Sequence, residues 1–202
     1  MSAREIELFF DIGSAYSYLA STQMDAVAKR TGAPVRWRPF LLGAVFKATG
    51  NDTPARIPAK ARWMINDLML WAKHYGIPAR LPSRFPLNTL RTQRALAAAE
   101  RTAVAAVPAF AAALFRAYWA EDQDVTSDGV IAAASRAAGL DGDAILRAID
   151  APETKDHLRA TTDEAVKRGA FGAPAMFVGD ALFWGNDRIA LLEEHLAQNR
   201  GS

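Results

Sequence analysis

Apolar residues change their spacing twice along this 202-residue chain, from strand-like to helical and back again. Glu5 to Phe10 alternates and then turns continuously apolar, the pattern of a strand in a mostly buried sheet. The run breaks at Gly13, after which Tyr16, Leu19, Ala20, Met24, Val27 and Ala28 recur at helical spacing. Lys29, Arg30 and Gly32 supply a basic last turn and a glycine stop. Ala33 to Phe40, with Val35, Trp37 and Pro39 interleaved with arginines, reads as a second strand. The resulting β-α-β unit predicts parallel strands joined by a right-handed crossover.

From about Leu41 to Arg168 the pattern is helical throughout, with Pro and Gly as punctuation. It predicts helices over 59–74, 88–102, 108–120, 127–138, 141–149 and 152–168, with glycine stops at Gly76, Gly139 and Gly169 and an Asp141 cap. After Gly172 the period returns to that of strands: Ala175 to Val178 and Ala181 to Trp184 flank a Gly179-Asp180 hairpin signal. Asn186-Asp187 then caps a last helix over 188–198. The order β-α-β, helical block, β-β-α is of the α/β class, a thioredoxin-like fold with a large all-helical domain inserted in its middle. The expected division is 1–45 with 168–202 for the discontinuous thioredoxin-like domain, and 46–167 for the helical insertion.

Composition narrows the chemistry. A net charge of +2, from 24 basic and 22 acidic residues, leaves no polybasic footprint, so nucleic acid is not an expected partner. Met1 to Glu7 has no apolar signal core, and the weakly polar run 103–115 is too short to span a bilayer and carries Pro108. The expectation is a soluble cytoplasmic protein without membrane contact. His74, His157 and His195 match no metal spacing, so no metal is expected. The chain has no cysteine, which removes disulfides, Cys-zinc sites and dithiol exchange together.

That absence sharpens the most informative stretch, Phe9 to Tyr18. Ser14 and Ser17 are spaced as the cysteines of a redox Cys-x-x-Cys, at a strand-to-helix turn. A helix N-terminus favours an anion, so Ser14 sits where a thiolate would be stabilised yet cannot be one. The simplest reconciliation is that the sulfur arrives as a small external thiol. Phe171-Gly172-Ala173-Pro174 puts a proline at a strand start, as an edge device or a turn, with a cis bond as one option. In a thioredoxin-like fold it faces the first helix, where Ala173 would present free N–H and C=O groups to a peptide-like ligand. Trp184 to Arg188 reads as an ordinary strand, glycine turn and capped helix, or as a second helix start. There Asn186 and Asp187 would set amides and a carboxylate against a zwitterion such as the γ-glutamyl end of glutathione.

Four motifs in order carry a resemblance over essentially the whole chain. They are the Phe-Asp-x-x-Ser-x-Tyr-Ser turn, Gly50-Asn51 with Lys60 and Asp67 nearby, Phe171 to Pro174, and Trp184 to Arg188. Together they resemble the 2-hydroxychromene-2-carboxylate isomerases, relatives of kappa-class glutathione transferases and DsbA-like oxidoreductases. The resemblance implies a glutathione-dependent enzyme of aromatic breakdown, usually homodimeric, acting on a small aromatic carboxylate or electrophile. Position by position, it implies that Ser14 stabilises the glutathione thiolate and Asn51 bonds the glycyl or cysteinyl part. Ala173 beside Pro174 would bind the cysteinyl backbone, Asn186 with Asp187 the γ-glutamyl group, and Trp184 would lie beside the site. Lys47, Lys60 and Arg84 are the candidate cations for the substrate carboxylate. Lys60 and Asp67 match family positions, and are equally consistent with a solvated helix face.

The implied reaction is cis-trans isomerisation through thiolate addition and elimination, with glutathione returned. Two departures stand out: Ala15 replaces the family's proline after the serine, and 81–88 does not match the naphthalene-pathway enzymes. A kappa-like glutathione transferase or peroxidase is the nearer alternative. A non-enzymatic thioredoxin-like module, binding peptides or thiol compounds through the Pro174 loop, is the other.

Overall fold

In the computed structural model, which describes residues 5–198, two separated stretches of chain build one four-stranded sheet. Residues 1–4, part of the N-terminal stretch read above, and 199–202 lie outside that range. Strands β1 (Ile6–Phe10), β2 (Val35–Pro39), β3 (Ala175–Val178) and β4 (Ala181–Trp184) take the order β2-β1-β3-β4. β1 runs parallel to β2 and antiparallel to β3, and β3 antiparallel to β4. The pairing is that of a thioredoxin-like sheet, with the helical block between β2 and β3 as the element order predicts.

The helix expected after Gly13 is two helices, α1 (Ala15–Ser21) and α2 (Met24–Thr31). At the break, the Ser21 and Thr22 hydroxyls donate back to the carbonyls of Tyr18 and Leu19, both at 2.7 Å. Such local bonds compete with the helix ladder. Beyond β2 come α3 (Leu42–Thr49), α4 (Pro58–Tyr75), α5 (Leu90–Thr102), α6 (Val107–Trp119), α7 (Asp128–Ala137), α8 (Gly142–Ala148) and α9 (Pro152–Lys167). The chain closes with α10 (Ile189–Gln198).

The expected Asn186-Asp187 side-chain cap is not formed. Residues Asn186–Arg188 make a 3-10 turn led by Gly185, whose φ of 101° is costly for any residue with a Cβ. The Asp187 carboxylate goes instead to Arg188 at 2.7 Å.

β1 is buried along its whole length, and its alternation sorts two cores. Ile6, Leu8 and Phe10 join the larger one with Trp37, Phe110, Leu114 and Phe115, so α6 of the helical block shares a core with the sheet. Phe9 turns to the opposite face with Phe40, Val45, Ala165 and Phe177, beneath α3 and α9. Next to Phe9 lies an ionic cluster. Arg38 reaches Glu7 at 2.9 Å, Glu164 at 2.8 Å and Glu100 at 3.2 Å, while Arg168 bonds Glu7 at 2.8 Å and covers the Phe177 ring at 4.1 Å. This ties α5 and α9 to the sheet: each of the three carboxylates lies within ion-pair distance of a guanidinium, and Glu100 also meets His157 Nε2 at 2.8 Å.

Among the described residues, no helix is long and apolar enough to cross a membrane. None of their His, Asp and Glu side chains are grouped so as to hold a metal ion.

Candidate active site

The turn after β1 is held in place by Asp11. This carboxylate is 1% exposed and takes three donors from three segments: Gly13 N at 2.8 Å, Leu42 N at 2.9 Å and the Thr89 hydroxyl at 2.7 Å. Burial pushes its pKa above the ordinary aspartate value, against the lowering pull of those donors. Gln93 adds a second brace, donating from Nε2 to the carbonyls of Phe10 and Phe40, each at 2.8 Å. Trp119 Nε1 donates to Ile12 O at 2.8 Å. At Gly13 a Cβ would stand 3.1 Å from the Thr89 methyl, so the close fit favours glycine.

These braces deliver Ser14 to the start of α1. Ser14 has extended backbone, φ −95° and ψ 117°, and its Oγ accepts from Ser17 N at 3.1 Å, which is the N-cap bond. The same hydroxyl donates to Ala173 O at 3.1 Å across the gap between α1 and the loop before β3. The Ala173–Pro174 bond is cis. Contrary to the sequence reading, the Ala173 carbonyl is therefore not free, because Ser14 already occupies it. Ser17 supplies only its backbone: its own hydroxyl is buried and has no hydrogen-bond partner.

On one side of this pair, Asn51 donates from Nδ2 to Phe171 O at 2.8 Å, bringing the segment after α3 to the Ala173 loop. Trp184 lies against Phe171 with ring centroids 4.7 Å apart. On another side, the 186–188 turn packs near α1 and α4. Asn186 is 2% exposed and turns its amide to the Tyr75 hydroxyl at 3.4 Å, while Asp187 stays exposed beside Arg188. The Tyr16 hydroxyl donates to Asp67 at 2.9 Å. Burial, the Asp67 bond and the nearby Asp187 charge all push the Tyr16 phenol upward, so two carboxylates converge on one helix start.

The three candidate cations stand on separate segments. Lys47 is exposed in the last turn of α3 and Lys60 is exposed near the start of α4. Arg84, in the segment before α5, lies 3.7 Å from Asp124. Asp11, Tyr16, Gln93 and Tyr75 carried no role in the sequence reading. Of these only Asp11 had a local signal, a carboxylate two residues before a glycine at a strand end.

A strand-to-helix turn facing a cis-proline loop, on a sheet of order β2-β1-β3-β4, defines the thioredoxin-like class. The chain belongs to the DsbA-like thioredoxin domain family, which it matches over residues 5–197. It is 32% identical over 195 residues to 2-hydroxychromene-2-carboxylate isomerase of Sphingobium xenophagum, covering 96% of this chain and 98% of that protein. Glutathione S-transferase kappa 1 of Homo sapiens is 30% identical over 207 residues, covering 96% and 92%. A solved 2-hydroxychromene-2-carboxylate isomerase superposes with a TM-score of 0.87 at 29% identity, over 96% of this chain and 94% of that one.

Proposed function

We propose that the chain is a glutathione-dependent cis-trans isomerase of an aromatic-derived carboxylate, of the 2-hydroxychromene-2-carboxylate type. One observation carries the reading. In a chain without cysteine, the hydroxyl at the first position of the Ser-x-x-Ser turn faces the Ala173–Pro174 loop and has no structural duty beyond one cap and one movable bond. The residues around it fit a tripeptide thiol. They offer a hydroxyl donor, a peptide edge at Ala173, an amide at Asn51 and a paired acid and base at Asp187 and Arg188.

Bound there, glutathione would supply a thiol that serves, once ionised, as a nucleophile for reversible addition to an electron-poor carbon. The protein's own part begins with the Ser14 hydroxyl, which gives up Ala173 O in order to donate to a sulfur anion. That exchange frees the Ala173 carbonyl for a ligand N–H, so a single rotation opens both contacts. A free thiol near pKa 8.5 is only a few per cent ionised at neutral pH, and a directed hydrogen bond raises that fraction. Asp67 and Asp187 suit an ammonium group, and Asn186, turned inward, acts on a ligand through its backbone. Ala15 in place of proline keeps the helix start, since alanine is the better former in a helix interior and proline is only preorganised at such a position.

The kappa-type transferase reading is favoured by the kappa relatives near 30% identity. Incubation with 2-hydroxychromene-2-carboxylate and glutathione separates the two. Interconversion of cis and trans forms at constant glutathione supports the isomerase, while a stoichiometric thioether product replaces it with the transferase.

A further inference from the structure

Phe171 and Trp184 remain exposed at 39% and 46%, yet they are in contact with one another, their planes tilted by 47°. Exposed apolar clusters on a folded chain mark contact surfaces. This pair is also fixed in place. The Trp184 indole crosses Gly172 so closely that a Cβ there would come within 2.6 Å of Nε1. Asn51 pins the Phe171 carbonyl, and Gly185 N donates to Pro174 O at 3.1 Å, anchoring the end of β4 to the same loop. Two residues beyond Phe171, Ala173 receives the Ser14 hydroxyl, so the Phe171 and Ala173 Cα atoms are at most about 7 Å apart.

We infer that the Phe171–Trp184 pair is the platform on which the planar aromatic ring of the second substrate stacks, with Phe171 as its specificity-determining residue. This rests on the reading of Ser14 given above and adds the part of the site that recognises the ring. Continuity along the chain argues for the occupant, because Phe171 stands two residues from Ala173, whose carbonyl takes the Ser14 hydroxyl proposed to act on the ligand. The two rings already rest on one another, so a flat ring gains face and edge contacts, and a saturated ring of equal size gains burial alone.

The test is calorimetric titration of the full-length, glutathione-saturated protein with 1-naphthoate and, separately, with its fully saturated counterpart. Phe171→Leu keeps apolar volume and removes the ring. It is expected to weaken 1-naphthoate by about two- to twelvefold, the worth of one aromatic contact beyond burial, and to leave the saturated acid unchanged. Phe171→Tyr keeps the ring and is expected to bind 1-naphthoate as the parent does, which guards against a merely misfolded variant. The inference is overturned if Phe171→Leu binds both acids as the parent does or loses both equally, or if the parent takes up no 1-naphthoate. A parent that fails to bind glutathione defeats the reading of Ser14 instead, and the same titrations without glutathione then decide the platform by the same outcomes.

Discussion

Ser14→Ala separates the two duties of one hydroxyl. In the folded protein the substitution removes an N-cap bond, worth about 1 kcal/mol, and the bond to Ala173 O, worth about another 1 kcal/mol. For a chain of this size that amounts to a Tm lowered by about 4–8 °C. The effect on a bound thiolate is distinct. A hydrogen bond to a charged group contributes about 1.5–3 kcal/mol, or roughly 1–2 pH units of thiol pKa. Because the chain has no cysteine, ultraviolet thiolate absorbance can come only from the ligand. The assay is a pH titration of that absorbance in the glutathione complex of the parent, Ser14→Ala and Ser14→Thr, the last keeping both hydroxyl and cap. The expected order places the Ser14→Ala thiol well above the other two. If glutathione bound to the parent ionises as it does free in solution, or if Ser14→Ala leaves the bound value unmoved, the hydroxyl does not act on sulfur.

Arg38→Met leaves the buried carboxylate of Glu7 with Arg168 alone and that of Glu100 with His157 alone, and is expected to destabilise the fold by about 1–3 kcal/mol in denaturant melts. Burial works against Glu164 ionisation, but Arg38 and Arg168 outweigh it and hold its pKa below the ordinary value. A depressed folded-state pKa stabilises above the unfolded value, so this contribution is present at neutral pH and lost as pH falls below about 4.3. The Arg38→Met variant is expected to show a flatter acid limb than the parent, and an equally steep one would count against the pairing. Gly172→Ala drives a Cβ into the Trp184 indole, which is exposed enough to shift, so altered tryptophan emission is expected, and unchanged emission would refute the crowding. Ser17→Ala removes a buried hydroxyl without a partner and adds a better helix former, so stability is expected to hold or rise by about 1 kcal/mol, and a clear loss in melts would reveal a partner.

The alternation of Glu5 to Phe10 and the Gly179-Asp180 hairpin made the sheet legible, since strand faces and turns are written in local residue order. The strands Ala175–Val178 and Ala181–Trp184 appear with the bounds their apolar runs suggested. The helix break at Thr22 was not legible, because it depends on whether hydroxyls bond backward, which periodicity does not record. Ser14 and the Ala173–Pro174 loop stood out because each breaks a local rule, a serine in a thiol position and a proline opening a strand. Tyr16 and Asp67 meet across 51 residues of chain, and Asp11 gathers donors from positions 13, 42 and 89. Those encounters are set by tertiary packing, and no sequence spacing announces them. The Asn186-Asp187 cap failed for a comparable reason, since Arg188 competes for the carboxylate once the 3-10 turn forms.

The two serines of the Ser-x-x-Ser turn are unequal, and the inequality fits a borrowed sulfur. In a dithiol pair the second position must reach the first, because its sulfur closes the disulfide. Here Ser17 supports Ser14 with its backbone N–H, while its hydroxyl is sealed in the core. A site that receives its thiol from outside has no use for a second side chain at that position, but it does need the first one aimed, since a single hydrogen bond carries no covalent hold on the ligand. That aim is set by Asp11, Gln93 and Trp119, which fix the turn from α3, α5 and α6 before any ligand arrives. On the proposed reading, precision that a disulfide enzyme builds into its sulfurs would rest in this chain on the buried polar braces beneath the turn. Loosening Asp11 should therefore harm the action proposed for Ser14, although Asp11 lies buried beneath the turn and does not itself reach the ligand.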